Sequence, residues 1–243
     1  MPNYKLLIEY DGTRFSGWQV QPDRRTVQGE IENALFVLLK ERVRLTAAGR
    51  TDSGVHALEQ VANFISTQND IVQNRFLRSL NGITGPDITI NEIAQVDECF
   101  NARFSAKARQ YAYHIATKPL SIGRKYAYYC HAPLNLEIIQ EASTLLKDTH
   151  NFEAFTKYDP EEEHYLCTIE ELEWRINTRK ILFRIRANRF LRHMVRRIVG
   201  TLLQLGSGKL SVDDFSAMIE HQEKKKINFT APAKGLFLEK VFY

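Results

Sequence analysis

Ala48-Gly49-Arg50-Thr51-Asp52-Ser53-Gly54-Val55-His56-Ala57 is the stretch on which the fold turns, because a polar loop with two glycines here joins two strand-like segments. A short strand is predicted before it, near Val43 to Ala47, and a longer one after it, Gln60 to Ser66. Gly49 and Gly54 can take backbone angles that other residues avoid, and Thr51, Asp52 and Ser53 favour turns by bonding to nearby main chain. On spacing alone the plain reading is that Asp52 caps a turn between strands. The same loop can hold a carboxylate out at a surface, set between an arginine and a histidine.

Outward from that loop, Tyr4, Leu6, Ile8 and Tyr10 alternate with Lys5, Leu7 and Glu9, which predicts a strand with one face inward. Thr26 is placed to cap a helix whose Val27, Ile31, Ala34, Leu35, Leu38 and Leu39 recur at three- and four-residue spacing. A second helix carrying Phe76, Leu77 and Leu80 is predicted to stop at Asn81-Gly82, and Ile88 to Val96 reads as the next strand. Strand, helix, strand, strand, helix, strand is the split β-α-β order of ferredoxin-like domains. The order returns downstream. Strands are predicted at Arg109 to Ala116, Tyr126 to Cys130, Ile169 to Ile176 and Ile181 to Ala187, with a closing strand at Leu236 to Phe242. Helices are predicted at Leu136 to Lys147, with Ile138, Ile139, Ala142, Leu145 and Leu146 inward, and at Phe190 to Leu205. Ser211 and Asp214 make a capping-box pattern for one extra short helix bearing Phe215, Met218 and Ile219. The expected fold is α+β: two ferredoxin-like halves, residues 1–104 and 105–243, with antiparallel sheets flanked by helices and an active-site groove between them.

The 243 residues, 44% hydrophobic and 26% charged, have an ordinary globular balance. No apolar run approaches the roughly 18 residues needed to span a bilayer, and Met1 to Lys5 leads into a strand rather than a signal peptide, so a cytoplasmic chain without membrane attachment is expected. Cys99, Cys130 and Cys167 lack Cys-x-x-Cys spacing, which argues against disulfides or a zinc site and predicts reduced, buried thiols. Gly-x-x-x-x-Gly-Lys and Gly-x-Gly-x-x-Gly loops are both missing, so no cofactor is expected. Net charge is only +4, but residues 1–104 hold 11 basic and 13 acidic side chains, leaving 22 and 16 for the remainder. From Trp174 to Val212 there are ten Lys or Arg and no Asp or Glu, the pattern of a surface facing phosphates or of a solvated basic face. The acidic segment Asp159, Glu161, Glu162 and Glu163 would repel phosphate and reads as a solvated loop.

The loop around Asp52 resembles the Arg-Thr-Asp-x-Gly-Val-His-Ala signature of the TruA family of tRNA pseudouridine synthases. Tyr10-Asp11-Gly12-Thr13, Phe15-Ser16-Gly17-Trp18-Gln19 and Thr26-Val27-Gln28 resemble that family's N-terminal pattern. Ala102-Arg103-Phe104-Ser105-Ala106, Tyr111-Ala112-Tyr113, Phe190-Leu191-Arg192-His193-Met194-Val195-Arg196 and Ala231-Pro232-Ala233-Lys234-Gly235-Leu236 follow in the family's order. With this overlap the basic stretch is read as RNA-facing. The sequence departs from the pattern at Asn101, where a histidine is usual, at Gly85-Pro86, and near Cys167-Thr168-Ile169, which lacks an arginine.

The resemblance implies conversion of uridine to pseudouridine at tRNA positions 38, 39 and 40 of the anticodon stem-loop, by a homodimer that embraces tRNA and uses no metal. It assigns the essential carboxylate to Asp52, its arginine partner to Arg196 and the active-site tyrosine to Tyr111, while Arg50 helps hold the target nucleotide out of the stack. A carboxylate sealed under a base loses solvation, which disfavours its ionised form, and a neighbouring guanidinium restores it. Tyr111 and Tyr113 share a strand face; a ring there can stack on a flipped uracil, and Tyr113 is read as core. Arg192 and Arg197 are read as phosphate contacts or as ordinary exposed helix arginines, Arg14 and Arg24 as backbone contacts, and His56 as loop architecture. Two other classes stand beside this one. A non-catalytic RNA-binding protein would leave Asp52 without a purpose, and a small-molecule hydrolase would lack a supporting base, metal ligands or phosphate loop.

Overall fold

Tyr4, Leu6, Ile8 and Tyr10 are all buried while Glu9 is exposed, and their strand, β1 (Asn3–Tyr10), is the spine of the first of two units. That unit comprises Met1–Lys107 with Phe237–Tyr243, and the second comprises Ala108–Leu236. The structure is a computed structural model that describes residues 1–69, 71–157, 164–220 and 229–243. The acidic segment Asp159 to Glu163 lies outside the described residues.

In the first unit a polar turn leads to α1 (Val27–Leu39). The hydroxyl of Thr26 accepts from the Gly29 N–H at 3.3 Å, a cap worth about 1 kcal/mol, and Val27, Ile31, Ala34, Leu35 and Leu39 are buried. β2 (Thr46–Ala47) and β3 (His56–Ile65) bracket the Asp52 loop, and α2 (Asn74–Thr84) and β4 (Ile88–Val96) follow. β1 pairs antiparallel with β3 on one edge and β4 on the other. Contrary to the expected stop, α2 runs through Asn81-Gly82. The Asn81 amide is engaged with β4 instead, accepting from Ile90 N–H at 2.7 Å and donating to Ile90 C=O at 2.9 Å. The helix ends at Gly85, φ +73, ahead of Pro86, whose ring cannot continue it.

The second unit contains β5 (Ala108–Ala116), β6 (Tyr128–Tyr129), α3 (Leu136–Ser143), β7 (Asp148–Asn151), β8 (Leu166–Ile176), β9 (Lys180–Ala187), α4 (Met194–Gly206) and α5 (Val212–Glu220). Its sheet runs β5-β9-β8-β7 in antiparallel register, with β6 parallel to β5. α3 is shorter than predicted and tightens into a 3-10 turn at Thr144–Leu146. Ile139, Ala142 and Leu146 are buried as expected, whereas Ile138, beside Ile139 on the solvent side of α3, and Leu145, in the tighter turn, are exposed rather than inward. The Asp214 N–H donates to Ser211 Oγ at 3.0 Å as the capping pattern predicts, and Phe215, Met218 and Ile219 are buried.

The last strand, β10 (Leu236–Phe242), lies parallel to the start of β3, with Phe237 opposite His56. The sheets are therefore not purely antiparallel. A strand arriving from the far end of the chain has no hairpin to fix its direction. Of the three thiols only Cys167 is buried; Cys130 is half-buried, and Cys99 is exposed in the turn after β4, correcting the expectation of buried sulfurs.

Candidate active site

Asp52 sits half-buried in the first unit, and the residues on either side of it tie the loop down. The Thr51 carbonyl accepts from the Trp18 N–H at 3.0 Å, Thr51 Oγ1 shares a hydrogen bond with the Tyr10 hydroxyl at 2.7 Å, and Ser53 Oγ donates to the Phe15 carbonyl at 3.1 Å. Within the loop the Val55 N–H donates to the Asp52 carbonyl at 3.1 Å. The Asp11 to Trp18 segment approaches so closely that a Cβ built at Gly12 would lie 1.9 Å from the Val55 carbonyl oxygen. One at Gly17, already at φ +97, would lie 2.8 Å from the Thr51 oxygen. Nothing larger than hydrogen fits at Gly12 without moving main chain.

The loop's own glycines matter less evenly than the sequence suggests. Gly54 takes φ +78, but Gly49 stays out of the left-handed region and faces open space. His56 begins β3, is 1% exposed, accepts the Gly12 N–H on Nδ1 at 3.1 Å and stacks on Phe237 at 4.6 Å. His56 is thus loop architecture, as its reading from sequence has it, but it accepts a main-chain N–H there, and the contacts of Gly12, Gly17 and Trp18 were not assigned from sequence. Their signal was the glycine spacing in Asp11-Gly12-Thr13 and Ser16-Gly17-Trp18, which shows a need for close approach but not what is approached.

Arg50, Arg14 and Arg24 are all exposed in this unit, and Arg14 stands 4.0 Å from the Asp87 carboxylate. Arg25 is engaged internally, with Glu30 at 2.5 Å, Asp87 at 2.7 Å and the Phe15 ring 4.3 Å away.

In the second unit Tyr111 is 8% exposed and meets Phe190 edge-on at 5.1 Å. Tyr113 is fully buried and donates to the Pro232 carbonyl at 2.8 Å, a core role as expected. Burial pushes its phenol up, with the Arg196 charge pulling the other way. The helix expected from Phe190 starts at Met194, because His193 at φ +63 interrupts the winding. Arg192 and His193 thus belong to the turn before α4, not to the helix. Arg196 is half-buried, its Nε donating to the Ala231 carbonyl at 2.8 Å while its own carbonyl accepts the Ala231 N–H at 3.0 Å. Two motifs distant in sequence are joined there.

Arg197, read from sequence as a phosphate contact or an ordinary exposed helix arginine, is not exposed. It is half-buried with Nη1 on the Thr156 carbonyl at 2.5 Å, and burial pulls its pKa down. Arg192 is exposed. The basic stretch is also less cationic than its count suggests. Arg175 and Arg184 each lie 2.5 Å from Glu173, and Arg186 reaches Glu170 at 2.9 Å and Glu171 at 2.6 Å. Among the described residues no group of three or more His, Cys, Asp or Glu could hold a metal ion, and no helix is long and apolar enough to cross a membrane.

The profile of a family described as tRNA pseudouridine synthase matches residues 6–105 and 142–243. The chain belongs to that family. Among its relatives, a tRNA pseudouridine synthase A of Chlorobium luteolum is 41% identical over 100% of this chain and 96% of its own length. That of Aquifex aeolicus is 41% identical over 99% of each. A fainter structural likeness to the "Crystal Structure of a Cbf5-Nop10-Gar1 Complex", TM-score 0.35 at 10% identity over 82% of this chain and 54% of that one, carries no argument. Pseudouridine synthases are isomerases acting on RNA, and membership in the family makes this chain such an enzyme.

Proposed function

We propose that the chain isomerises uridine to pseudouridine in the anticodon stem-loop of tRNA, at positions 38, 39 and 40, with Asp52 as the catalytic carboxylate. The observation that carries this reading is the Asp52 loop, which Trp18, Tyr10 and Phe15 hold by three hydrogen bonds from outside, so that the acid is presented by a pre-positioned main chain. The reaction breaks the C1′–N1 bond, turns the released uracil and joins C1′ to C5; the C5 hydrogen leaves to solvent. Asp52 attacks C1′ or removes the C2′ proton. Arg196 is the guanidinium that favours its ionised form, Tyr111 lies beside the uracil, and Arg50 helps keep the nucleotide extruded, which costs a few kcal/mol. Exposed Arg192, Arg14 and Arg24 contact phosphates.

In this reading labour is divided between an N-terminal half with the acid loop and a C-terminal basic half, each a ferredoxin-like module. Support for the module comes from the first unit, where the chain order is β-α-β-β-α-β and β2 lies on the edge of β3 opposite β1. The enzyme works in the cytoplasm as a homodimer. The test is tritium release from tRNA labelled at uracil C5: release establishes C5 glycosylation, and tight tRNA binding without release would leave only a binding protein.

A further inference from the structure

Phe104 exposes 78% of its surface although it lies in a tightly tied turn. Single exposed apolar residues are common and by themselves mean little. What sets this one apart is the rigidity beneath it. Asn101 Oδ1 accepts the N–H groups of both Arg103, at 3.0 Å, and Phe104, at 3.1 Å, while the Asn101 main chain exchanges hydrogen bonds with Ser105 through its N–H to Oγ at 3.1 Å and its carbonyl from the Ser105 N–H at 2.8 Å. Below the turn, Asn63 accepts the Ala102 N–H at 2.8 Å, and Asn3, 1% exposed, donates to the carbonyls of Asp97 and Phe100 at 3.0 and 2.8 Å. The Tyr243 hydroxyl donates to the Ala102 carbonyl at 2.9 Å. Two buried asparagines therefore fix the turn to β1 and β3.

On this pedestal the Arg103 guanidinium lies over the Phe104 ring, 5.3 Å from its centroid. A guanidinium on one face of a ring leaves the other face to solvent, and ring and cation together match what a nucleobase and its phosphate offer, since bases stack on aromatic side chains in a sequence-tolerant way. A ring carried on a main chain that is already tied down loses less entropy on stacking than one carried on a flexible loop. We propose that Phe104, backed by Arg103, is a stacking platform for an unstacked base of the tRNA substrate. This deepens the function proposed above and rests on it. Asn101, which departs from the family's histidine, acquires a role: its side-chain oxygen sets the turn that presents the ring.

The experiment measures tRNA affinity and C5 tritium release for wild type, Phe104→Ala, Phe104→Leu and Phe104→Trp. The expected result is affinity weakened about tenfold or more in the alanine and leucine variants, because an aliphatic side chain has no π face, with the melting temperature unchanged. Phe104→Trp should keep the affinity and show tRNA-dependent fluorescence quenching beyond that of wild type. Affinity within about twofold in the alanine variant, or restored by leucine, overturns the platform while wild-type release leaves the isomerase reading intact. A fall in molecular mass in the alanine variant would instead assign Phe104 to an interface between copies, and also overturns it. A wild type that neither binds tRNA nor releases tritium removes both readings.

Discussion

The Asp52 loop and the arginine-rich run from β9 into α4 solve opposite problems. In the loop the main chain and small neighbours do the holding: Trp18 N–H on the Thr51 carbonyl, Phe15 C=O under Ser53, and Gly12 pressed against Val55. In the arginine run the charged side chains do much of it themselves, on Glu170, Glu171, Glu173, Thr156 and Ala231. The lesson is that charge counted along a sequence overstates charge offered to a ligand, whereas glycines in a loop can understate how tightly it is fixed.

The contrast can be broken most severely at its glycines. Gly12→Ala drives a Cβ against a carbonyl that cannot yield, and should cost about 3 kcal/mol with loss of activity, whereas Gly49→Ala, facing open space, should stay within about 0.5 kcal/mol. Urea midpoints for the pair decide it, and equal midpoints would mean that the Asp11 to Trp18 segment does not clamp the loop. Next in size, Arg196→Lys removes the Nε donor from the Ala231 carbonyl as well as the planar fork, so stability should fall by about 1 kcal/mol and turnover by more than the stability loss explains. Wild-type kinetics there would contradict the role given to its guanidinium. The smallest effect separates exposed from engaged arginines: Arg192→Ala should lower the salt slope of tRNA binding by about one, and Arg184→Ala, paired with Glu173, should leave it unchanged. Equal slopes would return the whole run to a uniform basic face.

Local patterns carried far in this sequence. β1, α1, β4 and α5 follow from alternation, helical spacing and capping residues that act within a few positions. Misreadings arose where a partner elsewhere in the chain, or the backbone conformation of one residue, decided the outcome. Asn81-Gly82 has the composition of a helix end, but Ile90 occupies the asparagine and the helix continues. Phe190 and Leu191 extend the apolar period of α4 backwards, yet His193 in a left-handed conformation delays its start. β7, Asp-Thr-His-Asn, has no hydrophobic alternation at all and exists through pairing with β8. For the site, the signature marked Asp52, but neither the clamp on its loop nor the inward turn of Arg197 was legible, because both depend on carbonyls far away in the chain.

The account rests on chemistry by the Asp52 carboxylate in a loop that other residues hold. Single-turnover tritium release by Asp52→Asn measures this most directly, since the amide keeps the shape and removes the charge. The expected result is no detectable release, with tRNA affinity within a few fold and an unchanged melting temperature; release at a rate near wild type would contradict it.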